Sequence, residues 1–96
     1  MAEKIEVENV IQPGKTYRVD RAKYEAMRAA MLAALPTAGP GLNAAELKAA
    51  ILPRLPDALF PGGDKAGWWI KCAQLDLEAK GLVVREGKPL RFRRAA

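Results

Sequence analysis

The chain has 96 residues, enough for one compact domain with a modest core, and half of them are hydrophobic, which argues against intrinsic disorder. It has one cysteine and no histidine, so an internal disulfide, a histidine-based triad and a histidine metal site are excluded. The formal net charge of +5 permits nucleic-acid binding without requiring it.

Residues 4–19 are predicted to form a β-hairpin. Ile5 and Val7 alternate with charged residues, which is the period-2 pattern of a half-buried strand. Gln12-Pro13-Gly14-Lys15 has the composition of a turn, because proline fixes φ and glycine tolerates a positive φ. Tyr17 and Val19 continue the alternation on the return. The hairpin is therefore expected to have one apolar face, formed by Ile5, Val7, Tyr17 and Val19.

Two helices are predicted next. Asp20 has a carboxylate that can cap a first helix over residues 21–35. Its apolar residues at helical spacing are Tyr24, Met27, Met31 and Leu35. Asn43 and Glu46 have the spacing of a capping box and mark the start of a second helix. Pro53 limits that helix to about ten residues, because proline cannot continue the backbone hydrogen bonds.

A proline- and glycine-rich connection, residues 53–63, leads to a third helix. The apolar residues expected to hold the connection on the core are Leu55, Leu59 and Phe60. Asp64 is expected to cap the third helix, which extends to about Lys80 and stops at Gly81. Residues 82–85 and 90–93 are then predicted as strands.

The helix–strand junction carries a resemblance to a known fold. Residues 77–83, LEAKGLV, resemble the L-x-x-x-G-L-[VI] junction of winged helix-turn-helix domains, and the resemblance covers about residues 21–94. It implies an α+β fold in which the final hairpin is the wing. The connection of about eleven residues departs from the usual 3–4-residue link between the second and third helices. The docking mode of such domains therefore does not transfer directly.

The expected organisation is one winged-helix-like domain over residues 1–96. Its parts are an N-terminal hairpin at 4–19, a three-helix core at 21–80 and a wing at 82–94. Residues 60–69, FPGGDKAGWW, also resemble a family of small uncharacterised bacterial proteins, which implies no activity.

The third helix is predicted to be apolar on two sides. Ile70, Ala73 and Leu77 form one stripe, and Trp68, Cys72, Leu75 and Ala79 form a second, roughly opposite stripe. Trp69 lies on a flank with Asp76 and Lys80. The second stripe must be covered by the N-terminal hairpin, the wing or a second copy of the protein. In the last case the interface candidates are Trp68, Trp69 and Leu75.

The wing is the main candidate for a nucleic-acid contact. Arg91 and Arg93 alternate with Leu90 and Phe92, so both arginines are expected to project outward together. The wing residues expected to contact phosphates are Arg85, Lys88, Arg91, Arg93 and Arg94. Those expected on the third helix are Lys65, Lys71 and Gln74. The alternative is a charged edge strand that resists aggregation.

The leading expectation is a non-enzymatic protein that binds double-stranded DNA, as a transcriptional regulator or accessory factor. The alternative is a winged-helix module for protein–protein interaction or dimerisation. No catalytic residue, metal or cofactor is expected, because Cys72 lies on an apolar stripe and Gly62-Gly63-Asp64-Lys65 lacks P-loop spacing. No membrane partner is expected. The alternating N-terminus and the single cysteine predict a cytoplasmic location.

Overall fold

The computed structural model describes residues 3–12, 14–63, 65–87 and 90–95. Three helices lie between two antiparallel hairpins, which confirms the predicted α+β class and element order. The elements are β1 (Lys4–Glu8), β2 (Thr16–Asp20), α1 (Arg21–Ala34), α2 (Ala44–Ile51), α3 (Ala66–Ala79), β3 (Val83–Glu86) and β4 (Arg91–Arg94). Within the described part of the chain, no helix has the length and apolar character needed to cross a bilayer.

The first two helices begin at the predicted caps. The Asp20 carboxylate accepts a hydrogen bond from the Lys23 backbone amide at 3.0 Å. Asn43 and Glu46 form both halves of the capping box, at 2.8 and 3.0 Å. The expected cap Asp64 lies outside the described residues, and Lys65 occupies the N-cap position of α3 with a left-handed backbone at φ 56°.

The end of α3 has the geometry predicted for a glycine stop. Gly81 has φ +76°, its amide donates to the Glu78 carbonyl, and the Leu82 amide donates to the Leu77 carbonyl. These two bonds are the paired contacts of a Schellman motif. Because Leu82 is used in this cap, β3 begins at Val83, one residue later than predicted.

The N-terminal hairpin presents one apolar face, as predicted. Its register pairs Ile5 with Val19 and Val7 with Tyr17, so all four side chains lie on the same side. Val7 and Val19 are buried against the helices, whereas Tyr17 remains exposed at the margin. The hairpin therefore packs on the helical core without closing completely over it.

The core is formed by the three helices and the connection before α3. Its fully buried aliphatic side chains are Met27, Met31, Leu47, Ile51 and Leu77. Phe60 holds the connection to the core, as expected, and meets Trp69 edge to face with ring centroids 6.3 Å apart. This contact places the start of α3 against the connection.

The C-terminal hairpin is joined to the segment before α2. Phe92 and Leu42 exchange two backbone hydrogen bonds of 2.8 Å, and the Arg94 amide donates to the Pro36 carbonyl at 2.8 Å. Gly41 has φ +78°, and a Cβ there would stand 2.5 Å from the Phe92 carbonyl oxygen. Glycine is thus required for the segment to approach β4 this closely.

Candidate functional site

A buried carboxylate joins the N-terminal hairpin to two helices. Asp76 of α3 is 0% exposed, and its Oδ1 accepts a hydrogen bond of 2.8 Å from the Glu8 backbone amide of β1. The Tyr24 hydroxyl of α1 donates to Oδ2, and Lys80 Nζ lies 2.6 and 2.7 Å from the two oxygens. Every Asp76 oxygen therefore has donors, as a buried charge requires.

The sequence places Asp76 on a flank of α3 with Trp69 and Lys80 but does not predict that the carboxylate is buried. The hairpin covers this flank and buries the carboxylate. Burial, followed by the hydrogen bond and the charge of Asp76, raises the pKa of Tyr24 above its ordinary value. The i,i+4 spacing of Asp76 and Lys80 signals their ion pair. Nothing local to α3 indicates the contacts with Glu8 and Tyr24.

The two tryptophans of α3 have different environments. Trp69 is 7% exposed and packs against Phe60, so this interface candidate lies in the core. The connection before α3 folds over this part of the helix and covers the indole. Trp68 is 58% exposed, although Leu75 on the same stripe is buried. Of the three interface candidates, only Trp68 is open to a partner in the isolated chain.

The hairpin covers only part of the second apolar stripe. A groove of about 500 Å³ remains between the hairpin and α3. From the hairpin it is lined by Val7, Glu8, Asn9, Tyr17, Arg18 and Val19; from α3 it is lined by Gly67, Trp68, Lys71, Cys72 and Leu75. We call it the hairpin–helix groove. Its volume lies in the range of sites that hold a small molecule or a few side chains of a partner.

The groove is suited to binding and not to nucleophilic chemistry. Burial, followed by the charge of Asp76, raises the pKa of the Cys72 thiol to about 11. The thiol is therefore protonated at neutral pH and acts as a small apolar group. Lys71 and Arg18 are exposed at the groove and form no ion pair with another described residue. An apolar surface thus adjoins two cations and one exposed carboxylate, Glu8.

The arginines of the C-terminal hairpin are held by carboxylates. Arg91 pairs with Glu46 of α2 at 3.2 Å and also donates to the Gly41 carbonyl. Arg93 pairs with Glu86 of β3 at 3.0 Å. Both arginines lie on the same face of the hairpin, as their alternation predicts.

Arg85 does not join Arg91 and Arg93 on that face. The register places Arg85 opposite Phe92, on the face that packs toward the core. Its guanidinium donates two hydrogen bonds to Glu78, which raise its pKa above the ordinary value. Gln74 also donates to Glu78, at 3.2 Å. The expected continuous surface of Arg85 with the outward arginines is therefore absent.

The other nucleic-acid candidates are distributed over the molecule. Lys65 is exposed at the N-cap of α3, Lys71 is exposed on α3, and Arg94 is exposed at the end of β4. None of these three forms an ion pair with a described residue. Lys88 lies outside the described residues. Among the residues that the structure describes, no cluster of carboxylate and thiol groups could hold a metal ion.

Comparison with known proteins places the chain in a family. The model of a family of unknown function, DUF6958, matches residues 4–92, and the chain belongs to this family. The resemblance to a family of uncharacterised proteins, noted from the sequence, agrees with this match. No curated protein matches the chain, and no solved structure does either.

Proposed function

We propose that this protein is a non-enzymatic interaction module of winged-helix type, which binds a protein partner through the hairpin–helix groove. The observation that carries the proposal is Trp68, which is 58% exposed beside an apolar groove of about 500 Å³. Exposed tryptophans beside apolar pockets are typical anchors of protein interfaces. The partner would insert apolar side chains between Trp68 and the hairpin.

The architecture supports the winged-helix part of the proposal. Three helices are followed by a hairpin, and Leu42 bridges to Phe92 so that a third backbone segment lies beside the hairpin. The additional N-terminal hairpin lies on α3 and is tied to it through Asp76. A reading helix must present a free face to the major groove. In this chain the hairpin covers much of that helix, which favours a protein contact over base reading.

The charges of the C-terminal hairpin also favour this assignment. A phosphate would have to replace Glu46 at Arg91 and Glu86 at Arg93. Breaking one exposed pair costs only about 0–1 kcal/mol, so the pairs alone are a small barrier. The displaced carboxylates nevertheless remain beside the phosphates and repel them. The outward face therefore gains less from DNA than its arginine content suggests.

A partner other than a second copy fits the charges best. The chain carries a net charge of +5, and two of its cations, Arg18 and Lys71, lie at the groove against one carboxylate, Glu8. Two copies that met through this surface would bring these cations together, and like charges across an interface are unfavourable. We therefore expect sedimentation equilibrium to report a monomer in the isolated protein.

The groove can be tested with Nile red, an uncharged apolar dye whose fluorescence rises on binding. We expect Trp68→Ala to weaken dye binding at least fivefold, because it removes one wall of the groove. Leu52→Ala is the matched control, because Leu52 is also an exposed apolar residue but does not line the groove. Equal affinities for the wild type and both variants would refute the groove as the binding surface.

DNA binding is the second candidate, supported by the exposed cations Lys65, Lys71 and Arg94, which lack a described carboxylate partner. Fluorescence anisotropy of a labelled random duplex at several salt concentrations tests it. If this candidate is correct, the logarithm of the affinity falls linearly with the logarithm of the salt concentration, and the slope corresponds to about three phosphate contacts. The Lys71→Ala/Arg94→Ala variant should then have a shallower slope. The absence of binding at low salt would exclude it.

A further inference from the structure

The backbone of β2 has a free hydrogen-bonding edge. The Arg21 amide donates to the Glu3 carbonyl at 2.9 Å, which continues the β1–β2 register by one pair. In an antiparallel ladder, hydrogen-bonded and non-hydrogen-bonded pairs alternate. The pairs of Glu6 with Arg18 and Glu8 with Thr16 are therefore non-hydrogen-bonded. The amides and carbonyls of these four residues point away from the partner strand. Those of Glu6 and Glu8 therefore lie on the outer edge of β1, and those of Thr16 and Arg18 lie on the outer edge of β2.

Some of the corresponding groups on two other strands are occupied. On β1, the outward Glu8 amide donates to Asp76. On β4, Phe92 and Arg94 bond to the segment before α2. On β2, the outward groups of Thr16 and Arg18 make no hydrogen bond with another described residue. An unpaired strand edge is a template for another strand.

The free edge and the groove are adjacent. Tyr17, Arg18 and Val19 are consecutive residues of β2, and all three line the hairpin–helix groove, so the groove runs along this strand. A strand added beside β2 would place every second side chain on the same side as Tyr17 and Val19. Those side chains would enter the groove toward Trp68.

We infer that the edge of β2 and the groove form one site, which takes an extended segment of a partner protein as a third strand of the N-terminal hairpin. This inference rests on the proposed function and specifies the partner's conformation. In such strand addition, main-chain hydrogen bonds supply affinity and the pockets for alternate side chains supply specificity. Here the main-chain groups belong to Thr16 and Arg18, and the pocket lies beside Trp68.

The charge of Arg18 favours an acidic segment. Arg18 lies on the face of the hairpin opposite Tyr17 and Val19, where Glu6 is its cross-strand neighbour, and it has no ion-pair partner among the described residues. The added strand would adjoin Arg18 from the side away from β1 and Glu6. The matching segment alternates apolar residues, which enter the groove, with Asp or Glu, which lie on the opposite face beside Arg18.

The direct test uses a set of seven-residue synthetic peptides with blocked ends. Glu alternates with apolar positions that carry an equimolar mixture of Leu, Val, Phe and Trp, and titration calorimetry measures binding to the full chain. We expect binding that weakens at least tenfold when Lys replaces Glu. Methylation of single peptide nitrogens should weaken binding at least tenfold at every second position and leave it unchanged between them. Such a period of two identifies strand pairing.

The protein side of the pairing is tested at position 18. Arg18→Pro removes the outward amide without removing a bond to β1, whereas Arg18→Ala removes only the side chain and its charge. We expect the proline variant to bind the peptide set at least tenfold more weakly than the alanine variant. If Arg18→Pro does not fold, the methylated peptides still decide the question.

The outcomes separate this inference from the proposed function. Peptide binding that is insensitive to methylation at every position, or no binding at millimolar peptide, overturns strand addition. If Nile red still depends on Trp68 in that case, the groove remains the binding surface. The groove would then take side chains or a small apolar molecule without a strand. Loss of both the dye and the peptide responses would refute the two proposals together.

Discussion

Replacing Asp76 with alanine tests the anchor that holds the N-terminal hairpin on α3. The substitution leaves the buried Tyr24 hydroxyl and the Glu8 amide without their acceptor. Each buried donor without a partner costs about 1–3 kcal/mol. Lys80 is partly exposed and can turn to water, so it adds little. We expect the free energy of unfolding to fall by about 3–5 kcal/mol, the range seen when one member of a buried pair is removed.

Urea unfolding, followed by tryptophan fluorescence and by far-ultraviolet circular dichroism, measures this loss. A chain of this length is stable by only about 5–14 kcal/mol, so the shift in midpoint is large. Glu86→Ala is the control, because it breaks the exposed pair with Arg93 and should cost less than about 1 kcal/mol. A loss below about 1 kcal/mol for Asp76→Ala would refute the reasoning.

The contribution of Tyr24 can be separated by a double-mutant cycle. Tyr24→Phe removes the phenol oxygen. When Asp76→Ala is added to this variant, no buried hydroxyl is left without a partner. The double variant should therefore be more stable than the sum of the single changes predicts, by about 1–2 kcal/mol. Strict additivity would show that Tyr24 and Asp76 do not share the hydrogen bond.

Two further predictions concern the close approach of backbone at the C-terminal hairpin and the buried thiol. Gly41→Ala should lower the free energy of unfolding by about 2–4 kcal/mol, because it combines a positive φ with a clash against the Phe92 carbonyl. Gly39→Ala also has a positive φ but open space around it, so it should cost only about 1–2 kcal/mol, and equal losses in urea unfolding would refute the clash. The raised pKa of Cys72 favours the protonated thiol in the folded state. The contribution of this thiol to the free energy of unfolding is therefore complete below pH 9 and is lost as the pH rises toward 11. Between pH 8.5 and 10.5, urea unfolding of Cys72→Ala should thus show a weaker loss of stability than the wild type, and identical slopes would contradict the assignment.

Local chemistry explains which parts of the fold can be predicted from the sequence. The Asn43–Glu46 box and the Gly81 stop are determined within a few residues, and the structure contains both. The apolar face of the hairpin follows from a period of two, which is also local. Winged-helix packing is a finer statement and remains a proposal, because it depends on how the elements are arranged in three dimensions.

The candidate site depends on contacts between distant segments, and these were less accessible from the sequence. Glu8 and Asp76 are 68 residues apart, and the spacing of α3 alone does not show that Asp76 is buried. Arg91 meets Glu46 across 45 residues, so the alternation that directs Arg91 outward cannot show that its charge is compensated. Hydrophobic periodicity also does not show that Trp69 is buried, because the covering residue Phe60 comes from a connection with no periodicity of its own.

The Asp76 anchor and the open edge of β2 follow from the same packing. Asp76 accepts a hydrogen bond from the outward Glu8 amide of β1 and so holds β1 against α3. The other edge of the two-stranded hairpin, which belongs to β2, is directed away from that contact. The groove over the apolar stripe of α3 is lined by both strands, and along β2 it adjoins the edge that no described segment pairs with. A variant that loosens the anchor while the helices stay folded should therefore lose the groove. Asp76→Ala tests this link, because it removes the acceptor of the Glu8 amide that holds β1 on α3. We expect Asp76→Ala to bind Nile red and the acidic peptides more weakly at temperatures where circular dichroism shows the helices intact. Unchanged binding there would show that the groove forms without the anchor.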